Sequence, residues 1–361
     1  MKKILVVGFT ENPGGIENVV MNYYRNFDRS EVELEFLYST DSIAFKDEIE
    51  SLGGKTYKIT SKHSNLFQYK KDLKKFFKEH HDYDTLWVNY CNITNLDYFK
   101  YAKKYNINKR IIHAHNSQNM GSKIKGILHR IYKQLLPLYV TDYWSCSNDA
   151  SDWFYTNKVK KNVVIVYNAI DLDRFKYDPI IANNYKHSLE IENKLVIGNV
   201  GRLHFQKNQM FLLDVFNEVH KVEPNSVLVL VGQGEDEEKI KHRIYELNLM
   251  DNVKLLGARN DVPSLMMAMD IFVFPSVFEG LGLVLVEAEA TGLPIVAASD
   301  DIPHEVKMSN NFTFISLNES LEKWRDEILK YKGTSMEDNT KSLQEHGYDI
   351  KVEAKKIQEL L

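Results

Sequence analysis

The sequence predicts an α/β protein built from two parallel-sheet domains in series, and three observations carry that prediction. Apolar runs of strand length recur along the chain, glycine-bearing turns and stretches of helical length follow them, and the pattern starts afresh near the middle. The 361 residues exceed the size at which one hydrophobic core stops growing, so two domains are expected. An apolar content of 43 % with 27 % charged residues is the balance of a folded chain and excludes a disordered one.

The first run, ILVVGF, leads into TENPGGIENVVMNYYRNF and reads as strand, glycine loop and helix. Further strands are expected at VELEFLY, TLWVNY, RIIHAH, DYWSCS and VVIVYN, completing a Rossmann-like domain over residues 1–167. Residues 168–192, with the polar stretch DPIIANNYKHSLEIENK, read as the interdomain segment. The series resumes with LVIGNVGRL, SVLVLVG, VKLLG, DIFVFPS and PIVAAS, a second Rossmann-like domain over residues 193–339. Its helices are expected at QMFLLDVFNEVHKV, DEEKIKHRIYEL and GLVLVEAEATG, and a terminal helix over 340–361 can pack on either domain. Cys91 and Cys146 form no C-x-x-C pair, and no leader is expected ahead of the first strand. Both are therefore expected as buried thiols in a reduced, cytoplasmic compartment.

A net charge of −4 gives no whole-molecule attraction to nucleic acid, and the basic residues form no recognised reading motif. The chemistry is sought instead at glycine turns after strands. In GNVGRLHFQKNQ, Gly198 and Gly201 precede Arg202 and Lys207. A forked guanidinium with a movable ammonium suits a diphosphate, although a solvated pair beside a tight turn fits the spacing equally. Gly280, Leu281 and Gly282 open a helix whose free N–H groups can bind an anion, with Ser276 and Glu279 expected at the same crevice. A carboxylate accepts two hydroxyl bonds at once, so Glu279 is read as a sugar contact and Glu287 as a ribose contact. The plain alternatives are a helix-capping charge for Glu279 and a solvent-facing position for Glu287; Glu289 is given such a surface role. Gly232 and Gly234 can border a nucleotide, Gly257 and Arg259 can meet a base edge, and the methionines 266, 267 and 269 are core filler. Gly14 and Gly15 can approach a phosphate or serve an ordinary turn. Among His113, His115 and His129 no convincing metal set forms, and His115, nearer a loop, is the candidate for positioning substrate. Asp171 to Asp173 spell D-x-D but sit as a turn or cap, and no metal is expected.

Taken in order, GGIENV, HAHNS, VYNAIDLDRF, VGRLHFQKNQ, LLGARNDVP and FEGLGLVLVEAEATGLPIVA resemble retaining glycosyltransferase family 4, of the GT-B architecture, in its bacterial capsular and exopolysaccharide branch. The resemblance covers most of the chain and implies two Rossmann-like domains facing across a cleft. It implies a nucleotide sugar, with a UDP-sugar leading, on the second domain and a glycan or polyprenyl-diphosphate-linked sugar acceptor on the first. By the same resemblance Arg202 and Lys207 hold the donor diphosphate, Glu279 the transferred sugar and Glu287 the ribose. His115 lies near the reacting sugar, Gly15 approaches the phosphates, and Gly257, Arg259 and Val262 lie in the base-binding segment. One departure stands out: Asp301 in DDIPHEV occupies a position where family members commonly carry glycine. Rival readings of the same residues are a noncatalytic nucleotide-sugar-binding protein and a GT-B UDP-sugar epimerase. Two basic segments interleaved with apolar residues, Lys62 to Lys78 and GSKIKGILHRIYKQLLPLYV, can rest on an anionic membrane or simply cover the sheet.

Overall fold

The computed structural model describes residues 1–361 except Gln118, Met120, Gly121 and Gly280. It contains two compact units, Met1–Ile170 with Asp349–Leu361, and Asp171–Tyr348.

The first unit holds a seven-stranded parallel sheet of β1 (Lys2–Val7), β2 (Val32–Tyr38), β3 (Lys55–Lys58), β4 (Thr85–Tyr90), β5 (Lys109–Ala114), β6 (Asp142–Ser145) and β7 (Val163–Ile165). The strand order is β3-β2-β1-β4-β5-β6-β7. Leu5 and Val7 enter one core, Ile4 and Val6 another on the opposite face. Burial on both faces explains why these strands read as unbroken apolar runs. β3 escaped the sequence reading because KTYK is short and polar; its lysines suit an edge strand that must not recruit another chain. Residues 349–361 complete the second core. Ile350, Ala354, Ile357 and Leu361 pack there, and the Asp28 N–H donates to Gln358 Oε1 at 2.7 Å.

The second unit holds six parallel strands: β8 (Leu195–Val200), β9 (Ser226–Val231), β10 (Val253–Leu255), β11 (Ile271–Phe274), β12 (Ile295–Ala298) and β13 (Phe312–Ile315). Their order is β10-β9-β8-β11-β12-β13. The edge strand β13 had no expected counterpart. Within residues 168–192 the chain forms a helix, Pro179–Ser188, started by Asp178, whose carboxylate accepts from the Ile180 N–H at 2.7 Å. Tyr185 and Lys186 tie it to Asp261 at 2.8 Å and Asp270 at 2.7 Å. The expected terminal helix is two, Thr340–Glu345 and Ile350–Glu359, because Gly347 adopts φ +81 between them.

Gly198 lies inside β8, where a Cβ would fall 1.9 Å from Met269 Sδ; its absence of side chain serves packing. Met266, Met267 and Met269 are core residues, as expected. Cys146 is buried, whereas Cys91 is exposed in the loop after β4, correcting the expectation of two buried thiols.

Candidate active site

In an open parallel sheet the ligand crevice opens at the carboxyl ends of the strands, where successive crossovers diverge. In the second unit that point lies between β8 and β11, which pair directly. The loops leaving these strands are laced together. The Val277 N–H donates to the Gln206 carbonyl at 2.8 Å, and Gln206 Nε2 to the Phe278 carbonyl at 2.9 Å. Lys207 crosses from one loop to the other: its Nζ donates to Glu279 Oε1 at 2.6 Å and sits 4.8 Å from the Phe274 ring centroid. The two side chains are only 18 % and 8 % exposed, so losing either strands a poorly solvated charge. Gly201 admits the lysine stem; a Cβ there would lie 3.3 Å from Lys207 Cε. The Glu279 N–H donates to the Asp301 carbonyl at 2.9 Å, and Asp301 takes the left-handed φ of +46. That is the backbone region glycine adopts most readily, which fits the glycine that the family resemblance leads one to expect here.

Glu287 projects from the helix Leu283–Thr291, which starts at Gly282 with φ +77. Glu279 lies before this helix and does not cap it. Burial pushes the Glu287 carboxyl up to about 7, against the opposing pull of Arg174 and Lys207. No hydrogen bond reaches that carboxyl from the described residues. Lys207 therefore acts on both glutamates, by contact on Glu279 and through space on Glu287. Arg174, on the short helix Leu172–Phe175, was not foreseen; the D-x-D string before it drew attention to the wrong side chains. Asp171 caps that helix, accepting from the Asp173 N–H at 3.3 Å.

Arg202 behaves differently from Lys207. Its guanidinium is largely exposed and pairs with Glu235 at 2.9 Å, with neither Glu279 nor Glu287 as an ion-pair partner. The loops after β8, β9 and β10 pack backbone to backbone: the Gly232 N–H donates to the Gly257 carbonyl at 2.8 Å, and a Cβ on Gly232 would meet the Gly201 carbonyl at 2.0 Å. Gly234 likewise lies against Leu203. These glycines serve loop contact, a use the sequence did not reveal. Gln209, buried at the start of the next helix, donates to the Arg202 carbonyl at 3.1 Å and holds that loop from below.

Gly257 has φ +66 with open space where a Cβ would project. Arg259 is clamped on Asp261 at 2.6 and 2.8 Å, and half-buried Val262 opens the helix Val262–Met267. Leu281 is buried in the core, leaving only its backbone for a ligand. Gly280 lies outside the described residues. Ser276, expected at the same crevice as Glu279, is fully buried just after β11 with its hydroxyl unpaired among the described residues.

Glu289 is the clearest correction. It is fully buried, accepting from the Met308 and Ser309 N–H groups at 3.0 and 3.2 Å and from Asn339 Nδ2 at 3.3 Å. Two residues on from Glu287, it lies on the other side of the same helix and faces the chain and not water.

In the first unit His115 follows β5. Its Nε2 lies 2.9 Å from Asn89 Oδ1 at the end of β4, and burial lowers its pKa to about 3, so the imidazole is neutral. Its ring centroid lies 4.0 Å from that of the fully buried His113. Gly15 starts the helix Gly15–Asn26 with no atom near its missing Cβ. Buried Glu17 shapes the turn ahead of it, accepting from Thr10 N and Oγ1, both at 2.8 Å, and from Gly14 N at 3.1 Å. Among the described residues no three His, Cys, Asp or Glu side chains converge to hold a metal ion.

These features meet three comparisons. The family model described as "Glycosyl transferases group 1" matches residues 182–338, the stretch holding Arg202, Lys207, Glu279 and Glu287. The Bacillus subtilis protein named as glycosyltransferase EpsF is 32 % identical over 337 residues, covering 91 % of this chain and 87 % of its own. An Escherichia coli UDP-Gal:alpha-D-GlcNAc-diphosphoundecaprenol alpha-1,3-galactosyltransferase is 34 % identical over 142 residues, 38 % of this chain and 36 % of its own. In structure, Anabaena HepE, crystallised with UDP and glucose, superposes with a TM-score of 0.80 over 100 % of this chain and 99 % of that one at 21 % identity. With two Rossmann-like domains of the GT-B fold and a relative matched along nearly its whole length, the chain belongs to the group 1 glycosyltransferases.

Proposed function

We propose that the protein is a retaining, metal-independent transferase that moves a hexose or N-acetylhexosamine from a UDP-sugar to a glycan or polyprenyl-diphosphate-linked sugar at the cytoplasmic face of a membrane. The observation that carries this reading is the Lys207–Glu279 pair at the β8/β11 switch point, with the unpartnered Glu287 carboxyl under the influence of the same lysine. A nucleotide sugar supplies groups for each: diphosphate oxygens for Lys207, sugar hydroxyls for Glu279 and a ribose diol for Glu287. The uridine and lipid-linked acceptor are supported by the printed activity of the Escherichia coli relative.

In the proposed reaction the bond from the anomeric carbon to the diphosphate oxygen breaks, and negative charge grows on the departing UDP. Lys207, Arg202 released from Glu235, and the backbone N–H groups of 280–282 take up that charge, which removes the need for a divalent ion. The acceptor hydroxyl bonds to the same face of the sugar and passes its proton to the departing phosphate oxygen. Glu279 orients the sugar and forms no covalent bond, unlike the paired carboxylates of hydrolases. Neutral His115 is suited to hydrogen-bond the reacting sugar without adding charge. Gly257, Arg259 and Val262 are assigned to the base, and Gly15 to a close approach to the phosphates.

The test is transfer from a panel of nucleotide sugars to lipid-linked sugar diphosphates, read as UDP release and acceptor mass. Glu279→Ala is expected to lose transfer while UDP still binds. Isomerised donor without acceptor gain, or activity abolished by chelation and restored by manganese, would overturn the corresponding part of the reading.

A further inference from the structure

The two basic segments part company in the structure. In the helix Leu66–Glu79, Tyr69, Leu73, Phe76 and Phe77 are buried while Lys70, Lys71, Lys74, Lys75 and Lys78 face water. Apart from Leu66 and Phe67, exposed at its first turn, that is an amphipathic helix covering a sheet, with no apolar line along its outer face. The helix Lys123–Leu135 is the reverse. Of its side chains only His129 is buried, and the apolar stripe Ile124, Ile127, Ile131 and Leu135 stands 69, 53, 53 and 37 % exposed, continued by Leu138 at 55 %. These positions step by three and four residues, so they form one line along the helix.

The charge around this line is one-sided. Residues 98–141 contain nine lysines and arginines and no aspartate or glutamate, in a chain of net charge −4. None of Lys123, Lys125, Arg130 and Lys133 meets a carboxylate among the described residues. Lys123, Arg130 and Lys133 line a cavity of about 610 Å³ with Ile127, His129 and Trp153, where His129 stacks on Trp153 at 4.2 Å. Next to Leu138, Lys100 and Lys103 lie 5.8 and 5.7 Å from the Tyr139 ring centroid.

We infer that this face of the first unit docks on the anionic leaflet of a membrane, the isoleucine line entering the acyl boundary and the cations meeting lipid phosphates. A partner protein would be expected to supply carboxylates selectively, whereas a row of aliphatic side chains rimmed by unneutralised lysines and an arginine is what an interfacial helix presents to anionic lipid. Among the described residues no helix is long and apolar enough to cross a membrane, so the contact is peripheral. The inference rests on the proposed lipid-linked acceptor for its purpose, and on the exposed stripe for its location.

Flotation of the full chain with phosphatidylglycerol and phosphatidylcholine vesicles tests it. Binding is expected to the anionic vesicles alone at low salt and to weaken at least tenfold in 0.5 M salt. Ile124→Gln/Ile127→Gln/Ile131→Gln, all exposed positions, is expected to lose flotation, while Lys70→Glu/Lys74→Glu on the other helix keeps it. Absence of wild-type binding at low salt overturns the inference whatever the transfer assay gives. So does a wild-type dimer that the triple variant converts to monomer, since a second copy would then own the stripe. Transfer to a short water-soluble acceptor separates the two readings: the triple variant is expected to retain it, and a wild type that floats but transfers to nothing refutes the enzyme reading alone.

Discussion

Glu287 offers the sharpest test, because its proposed function and its folding energetics pull in opposite directions. Its carboxyl is raised from an ordinary 4.5 to about 7, chiefly by burial. A carboxyl raised on folding imposes no penalty below the unfolded value, since both states are then protonated. The penalty grows as pH rises through 4.5 to 7 and is complete above it. At 1.36 kcal/mol per unit the full cost is about 3 kcal/mol, an upper value for a half-buried group. Glu287→Gln removes it, so the second unit of the variant should be more stable at pH 8 by up to that amount, roughly 6 °C or more in Tm, and nearly unchanged at pH 4.5. Denaturation followed by hydrogen exchange of β8 and β11 amides isolates that unit. The same variant should bind UDP about tenfold or more weakly by calorimetry, having lost a charged acceptor for two hydroxyls. A stability difference that is flat between pH 5 and 8 would show that Glu287 is solvated, and the account of a carboxylate kept at a cost for its ligand would fail.

Three further outcomes follow from the geometry. Glu289→Ala should destabilise the second unit by about 3 kcal/mol in urea titration, because the Met308 and Ser309 N–H groups lose their buried acceptor; a loss under 1 kcal/mol would contradict its burial. Gly232→Ala should cost about 2 kcal/mol and weaken nucleotide binding without touching ligand, since its Cβ displaces the Gly201 carbonyl; unchanged affinity would show that the loops move independently. Asp301→Gly should stabilise by about 1 kcal/mol by relieving the positive φ, checked by thermal melting, and no gain would mean that the aspartate side chain compensates for its backbone.

The central strands were legible because burial on both sheet faces demands apolar side chains at every position, as in LVVG or VLVLV. The edges were not: KTYK and FTFI are short and meet water or a loop on one side. At the site, the residue types Arg202, Lys207, Glu279 and Glu287 stood out through their places beside glycine turns. Their pairings did not, because contact between residues 207 and 279 depends on β8 lying beside β11 with two strands and three helices intervening in sequence. Arg174 and Gln209 were missed for the same reason, and Glu289 because glutamate in a helix gives no local sign of whether its neighbours leave room for water.

Residues 349–361 belong with Met1–Ile170, so the second unit is one continuous insertion while the first is stitched from two distant pieces, with Ile350 N–H donating to the Ile170 carbonyl at 3.0 Å where they meet. During synthesis the later-made lobe can therefore close before the earlier one, which must wait for residue 361 to cover Val20, Phe27 and Leu34. Deleting residues 349–361 would unseat the amino-terminal core while leaving the lobe that carries Lys207 and Glu279 intact.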